Sequence, residues 1–191
     1  MSTTRFSRLD RARHALAAGA LALLLGLSLT GTGCTTKTTS TQGGAVGTAA
    51  PAFALPDLEG KTVRNTDLQG KVVILNFWAT WCPPCRDEVP DFVRLQSKYR
   101  DKGLAIVGLS LDAGGASDVR PFVDEYDVNY TMLIANQETA ESYGGIQGIP
   151  TSFVLDRNGT IVKRFVGRAS AEAFEEAVRP LLVTGALGPA S

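Results

Sequence analysis

Histidine is all but missing from this chain. The one residue of that type, His14, lies in a leader-like N-terminal segment. Without that segment no imidazole remains. This excludes Ser-His-Asp and Cys-His catalysis, zinc sites with histidine ligands and haem with an axial histidine. Cysteine is scarce too, with three residues at 34, 82 and 85. Nor is there an excess of positive charge. Lys and Arg number 19 against 19 Asp and Glu. Leaving out residues 1–33 removes four Arg and Asp10, so 15 basic and 18 acidic residues remain, a net charge near −3. No basic patch appears, and nucleic acid is not an expected partner. No internal repeat is present, and 191 residues suggest one domain plus extras.

What is present begins with a targeting pattern. Arg5, Arg8, Arg11 and Arg13 precede an uncharged run of Ala, Leu and Gly from Ala15 to Leu29. A charged region before an apolar one reads as an export signal over residues 1–33. No Arg-Arg pair marks a twin-arginine route. The alternative is an uncleaved anchor, since about 18 apolar residues can span a bilayer. The strongly apolar core is short and ends in small and hydroxylic residues, which favours cleavage. Leu29-Thr30-Gly31-Thr32-Gly33-Cys34 resembles the lipobox of bacterial lipoproteins, whose cysteine is lipidated and becomes the new N-terminus. Gly31 stands where that pattern usually has Leu, and Leu29 lies two positions too early. The other reading of Cys34 is a cysteine beside an ordinary cleavage site. Lipidation at Cys34 would tether the protein to a membrane of the bacterial cell envelope. Residues 34–50, rich in Thr, Ser, Gly and Ala, read as a flexible tether.

The folded domain is expected over 51–183, with a short tail at 184–191. Phe53 to Val63 reads as a small hairpin turning at Leu58-Glu59-Gly60. Lys71 to Trp78 is short, predominantly apolar and β-rich, the pattern of a strand buried on both faces. A helix follows from about Pro84 to Arg100, with Val89, Phe92, Val93 and Tyr99 on its apolar side. Pro90 removes one of its hydrogen bonds and predicts a kink. Leu104 to Leu109 is a second buried strand. Ser117 predicts the cap of a helix running to about Tyr126. A short strand at Tyr130 to Ile134 and a short helix at Thr139 to Tyr143 come next. Thr151 to Leu155 and Ile161 to Val166 pair across Asp156-Arg157-Asn158-Gly159, a strong turn signal. Ser170 caps a last helix, with Ala171, Phe174, Val178 and Leu182 on one face. This order predicts an α/β fold: a central mixed sheet with helices on both faces and an N-terminal hairpin.

Chemistry concentrates at Trp81-Cys82-Pro83-Pro84-Cys85, directly after the first buried strand. Cysteines three apart at a helix start place their sulfurs on one face and can open and close a disulfide with little backbone movement. As half of a metal site the pair falls short, because a structural zinc wants four ligands and the third cysteine sits across a flexible linker. A purely structural disulfide would close a tiny loop and constrain the unfolded chain little. Redox exchange fits better. At a helix N-terminus, unsatisfied N–H groups and the helix dipole stabilise a thiolate at Cys82, the attacking sulfur. Cys85, one turn deeper and expected to be more buried, would resolve the mixed disulfide.

Several motifs together then resemble the thioredoxin superfamily, and within it the TlpA/ResA-like membrane-tethered thiol-disulfide oxidoreductases. They are Phe77-Trp78-Ala79-Thr80-Trp81-Cys82-Pro83-Pro84-Cys85, the helix proline Pro90, and Gly148-Ile149-Pro150-Thr151 before Ser152-Phe153-Val154-Leu155-Asp156. The likeness spans about Pro51 to Leu182. It implies a cis Ile149–Pro150 bond against the active cysteines, with Ile149 presenting a backbone edge to substrate. It also implies that Glu88 lies near the cysteines and tunes their proton affinity. The family needs no cofactor beyond its redox-active disulfide, here Cys82–Cys85. One departure matters: cytosolic thioredoxins carry a buried Asp on the strand six residues before the first cysteine, and here that residue is Asn76, which cannot take a proton. If transfer to the leaving Cys85 is assisted, Glu88 or water must do it. Trp78 reads as core. Trp81 and Pro83 read as part of an exposed docking rim.

The resemblance thus implies an exported, monomeric oxidoreductase that reduces protein disulfides. It would draw electrons from a membrane thiol donor, and a role in cytochrome c maturation is within the family's range. A disulfide-donating oxidant is the alternative direction. A peroxiredoxin is not, because Pro-x-x-x-Thr-x-x-Cys would need Thr at Ala79 and Pro at Leu75. A copper carrier on the same fold would add a distant histidine, and no candidate exists.

Overall fold

The computed structural model describes residues 43–184. The expected signal segment, Cys34 and the tail from 185 onward lie outside them. The centre is β3 (Val72–Trp78), all seven residues of which are buried. It pairs in parallel with β4 (Leu104–Ser110), which pairs in parallel with β5 (Thr131–Ile134). On the other side it pairs antiparallel with β6 (Thr151–Leu155), which forms a hairpin with β7 (Ile161–Val166). The five-stranded mixed sheet therefore has the order β5-β4-β3-β6-β7. A separate two-stranded hairpin joins β1 (Ala54–Pro56) and β2 (Thr62–Arg64).

Alternation along β3 explains why both faces must be covered. Val73, Leu75 and Phe77 face a cluster with Phe53, Leu55, Tyr143 and Phe153, roofed by the hairpin and by α3 (Gln137–Ser142). Val72 and Ile74 face Phe92, Leu95 and Tyr99 of α1 (Pro83–Tyr99) and Phe174, Val178 and Leu182 of α4 (Ala171–Thr184). Trp78 turns to a third cluster with Cys82, Cys85 and Val89, together with Val119 and Phe122 of α2 (Ala116–Glu125). Each large apolar side chain buried here stabilises the fold by about 1.5–3 kcal/mol. The helix α1 runs through Pro90 without ending.

Two expectations are corrected. Residues 43–50 are not all tether. Gly47 N donates to Ile161 O (2.8 Å), Ile161 N to Thr48 O (2.9 Å) and Ala50 N to Gly159 O (2.8 Å). Composition promised no apolar burial, but the unpaired edge at the start of β7 needs only backbone partners. The second concerns α2. Its N-cap is Gly115, at φ +61°, rather than Ser117. The glycine adopts a left-handed backbone at no steric cost, so the helix begins before the serine. Ser117 Oγ donates instead to Gly114 O (2.7 Å), and Asp118 accepts from Gly114 N (2.9 Å). Ser170 does cap α4, its Oγ accepting from Ala173 N at 3.3 Å. At the β6–β7 turn, Asp156 Oδ1 accepts from Asn158 N and Thr160 N, both at 2.9 Å. No helix among the described residues is long and apolar enough to cross a membrane.

Candidate active site

The chain leaves β3 at Trp78, turns through Ala79-Thr80-Trp81, and enters α1 with Cys82 as N-cap. Pro83 and Pro84 occupy the first helical positions, where a missing N–H costs nothing. The turn is held from below by Asp112, a buried carboxylate just past β4 that sequence reasoning did not single out. It accepts from Thr80 N (3.1 and 3.2 Å), from Thr80 Oγ1 (2.6 Å) and from Ser110 Oγ (2.8 Å). Leu111 N also donates to Trp78 O (2.9 Å), tying β4 to the same turn. A polar residue ending an apolar strand was the available signal. Its partner Thr80, 32 residues back, was not.

Cys82 and Cys85 form a disulfide with their Cα atoms 5.3 Å apart. The expected difference in depth is small: the residues are 4% and 2% exposed. Ile149 packs against the cluster that contains both. The Ile149–Pro150 bond is cis, as the resemblance implied, and Ile149 O lies 3.7 Å from Cys82 Sγ. The loop is fixed by Thr151 Oγ1 donating to Gly148 O (2.7 Å) and Gly167 N donating to Pro150 O (2.8 Å). Trp81 is 67% exposed beside this pair, and Pro83 is exposed with it, whereas Trp78 is core.

Glu88 is 1% exposed, on the helix face of Cys85 and one turn further on. Side chains three apart on a helix have Cβ atoms about 5–6 Å from each other. Its Oε1 accepts from Ala169 N (2.8 Å) and its Oε2 from Asn76 Nδ2 (3.4 Å). Asn76 Nδ2 also donates to Ser152 Oγ (2.8 Å), a buried residue of β6 that carries no signal of its own in the sequence beyond its place after Pro150-Thr151. Burial pushes the Glu88 carboxyl up to about 7; the Ala169 N–H, the Arg168 charge and Asn76 oppose this. The phenol of Tyr130 is raised by its own burial and, after that, by Glu88. Among the described residues, no group of three or more His, Cys, Asp or Glu is placed to hold a metal ion.

A dithiol–disulfide pair at a helix N-terminus, faced by a cis-proline loop from the neighbouring strand, defines a thioredoxin-like redox site. The AhpC/TSA family model matches residues 46–164, more than half of the chain. A thiol-disulfide oxidoreductase ResA of Bacillus thuringiensis is 38% identical over 130 residues, covering 68% of this chain and 75% of that protein. The thioredoxin-like protein YneN of Bacillus subtilis is 39% identical over 132 residues, covering 68% and 76%. A crystal structure of a thiol:disulfide interchange protein of the thioredoxin family from Chlorobium tepidum superposes with a TM-score of 0.65 at 35% identity, over 72% of this chain and 98% of that one. This chain belongs to the AhpC/TSA family, on its thioredoxin-like, thiol-disulfide oxidoreductase side.

Proposed function

We propose that the chain is a thiol-disulfide oxidoreductase that reduces disulfides in other proteins outside the cytoplasm. The observation that carries this reading is the Cys82–Cys85 pair at the start of α1, with Ile149 O beside Cys82 Sγ. The Cys82 thiolate attacks a substrate disulfide and one substrate thiolate leaves. The Cys85 thiolate then attacks Cys82 Sγ in the mixed disulfide, releasing the second substrate thiolate and closing Cys82–Cys85. Two enzyme thiols are oxidised and one substrate disulfide becomes two thiols. A thiol donor in the membrane resets the pair.

Glu88 is the proton-handling group in this proposal. A carboxyl poised near 7 exchanges a proton at neutral pH, and its charged form repels a thiolate at Cys85. In this proposal a signal over 1–33 would export the chain and lipidation at Cys34 would tether it to the envelope, where the domain would work as a monomer. The names of the relatives support thiol-disulfide exchange with protein substrates, and cytochrome c maturation is one setting that supplies protein disulfides to reduce. The deciding experiment is the potential of the Cys82–Cys85 couple, read from Trp fluorescence in glutathione or dithiothreitol buffers. A value near about −270 mV fits a reductant. A value near about −120 mV would reverse the direction and make the protein a disulfide donor.

A further inference from the structure

A shallow groove of about 510 Å³ opens directly beside Pro83 and runs along α1. Its floor is the stripe Pro83, Arg86, Asp87 and Pro90, spaced so that all four share one helix face. Tyr126 closes one wall and Arg168 lines the groove with it. Arg86 is held in place: Nη2 donates to Tyr126 Oη (2.8 Å), and its guanidinium lies 5.7 Å from the Tyr126 ring and 5.9 Å from that of Phe122. Those rings stack at 4.2 Å, and Phe122 in turn packs on Trp78 at 5.0 Å. The charge is thus mounted on an aromatic ladder rooted in the core.

Neither Arg86 nor Arg168 is in any of the four ion pairs found among the described residues. Asp87 lines the groove, and Glu125 and Asp87 act on Arg86 from a distance. Arg168 acts on the buried Glu88. Residues 43–184 hold 14 Lys and Arg against 18 Asp and Glu. Two guanidiniums that join no close ion pair among the described residues thus sit beside the reactive disulfide, against the overall charge.

We propose that this groove receives the polypeptide flanking the substrate's disulfide, and that Arg86 and Arg168 select segments bearing Asp or Glu there. This rests on the oxidoreductase reading and specifies its substrate class. Rim charges of this kind act mainly on association rate and are screened by salt.

The test uses the reduced protein and two peptide disulfides that differ only in flanking residues, Asp and Glu in one and Lys in the other. Stopped-flow Trp fluorescence gives the two second-order rates, and their ratio cancels any change in thiol reactivity. At low ionic strength the acidic peptide should react about 10-fold faster, and the ratio should fall toward about 1 in 1 M salt. Arg168→Glu and Arg86→Glu should each lower the ratio at least about 3-fold. A parent ratio near 1, or a ratio unmoved by either substitution, overturns the proposal. Hydroxyethyl disulfide, which is neutral and small, separates the two levels. If the parent fails to exchange with it, the oxidoreductase reading falls and the groove with it. If it exchanges while the peptides react equally, the groove alone falls.

Discussion

Replacing Glu88 by Gln should change how stability depends on pH more than it changes stability itself. Folding takes this carboxyl from an ordinary 4.5 up to about 7, with burial as the main cause. The folded protein therefore holds a proton that the unfolded chain releases. The stability tied to the protonated carboxyl is complete below about 4.5 and is lost as pH climbs through about 7. A shift of that size corresponds to about 3 kcal/mol. Near pH 4 the parent and Glu88→Gln both carry a neutral side chain, and Ala169 N keeps an acceptor in each. Near pH 8.5 only the parent carries a buried charge. Urea unfolding of the two proteins from about pH 4 to 8.5, both with the disulfide intact, should show Glu88→Gln gaining about 3 kcal/mol over the parent. Using the oxidised form removes cysteine titration, and carboxylates common to both proteins cancel in the difference. A difference that stays flat within about 1 kcal/mol over that range would refute the placement of the Glu88 midpoint.

Cys85→Ser should trap substrate on Cys82 as a mixed disulfide visible by mass spectrometry, whereas Cys82→Ser should give no adduct at Cys85. Asp112→Ala leaves the Thr80 N–H, the Thr80 hydroxyl and the Ser110 hydroxyl without their acceptor. It should cost about 2–4 kcal/mol in denaturant unfolding and slow thiol exchange, with Asp112→Asn recovering part of both. Trp81→Ala, at a largely exposed position, should leave stability within about 0.5 kcal/mol while lowering the exchange rate with a protein disulfide several-fold.

Strand β3 was legible because six of its seven residues are apolar, most of them β-favouring, with both faces buried, and together they carry one message whatever surrounds them. The Asn158-Gly159 turn and the Ser170 cap were legible for the same reason: each is a contact between near neighbours. Reading failed where two local signals competed. Ser117 is a good capping residue, but the φ freedom of Gly115 let the helix begin earlier. It also failed where partners are distant. Asp112 has its meaning only against Thr80, and residues 43–50 only against the edge of β7. At the site, the cysteines were readable from spacing and the missing histidine. Pro150 and Glu88 were identified only through the resemblance, since a lone proline and a lone helical glutamate have ordinary explanations.

Asn76 and Glu88 are best understood as one unit. An acid at position 76 would stand within hydrogen-bond distance of Glu88, and two carboxyls there could not both ionise readily. Asn76 instead offers a donor to both Glu88 and Ser152. That network joins the strand leading to the cysteines, the helix bearing Cys85, and β6 directly after the cis-proline loop. Through Ala169 N it also reaches the loop before α4. Moving the titratable group from strand to helix keeps an acid on the face of Cys85 while leaving the strand residue neutral at every pH. An Asn76→Asp substitution should therefore introduce a second buried acid coupled to the first. The pair would lose its protons in two separated steps, one of them above the single Glu88 midpoint near 7. Carboxyl titration of the oxidised variant by NMR reads this directly, and one unsplit midpoint would show that the two positions do not share a site.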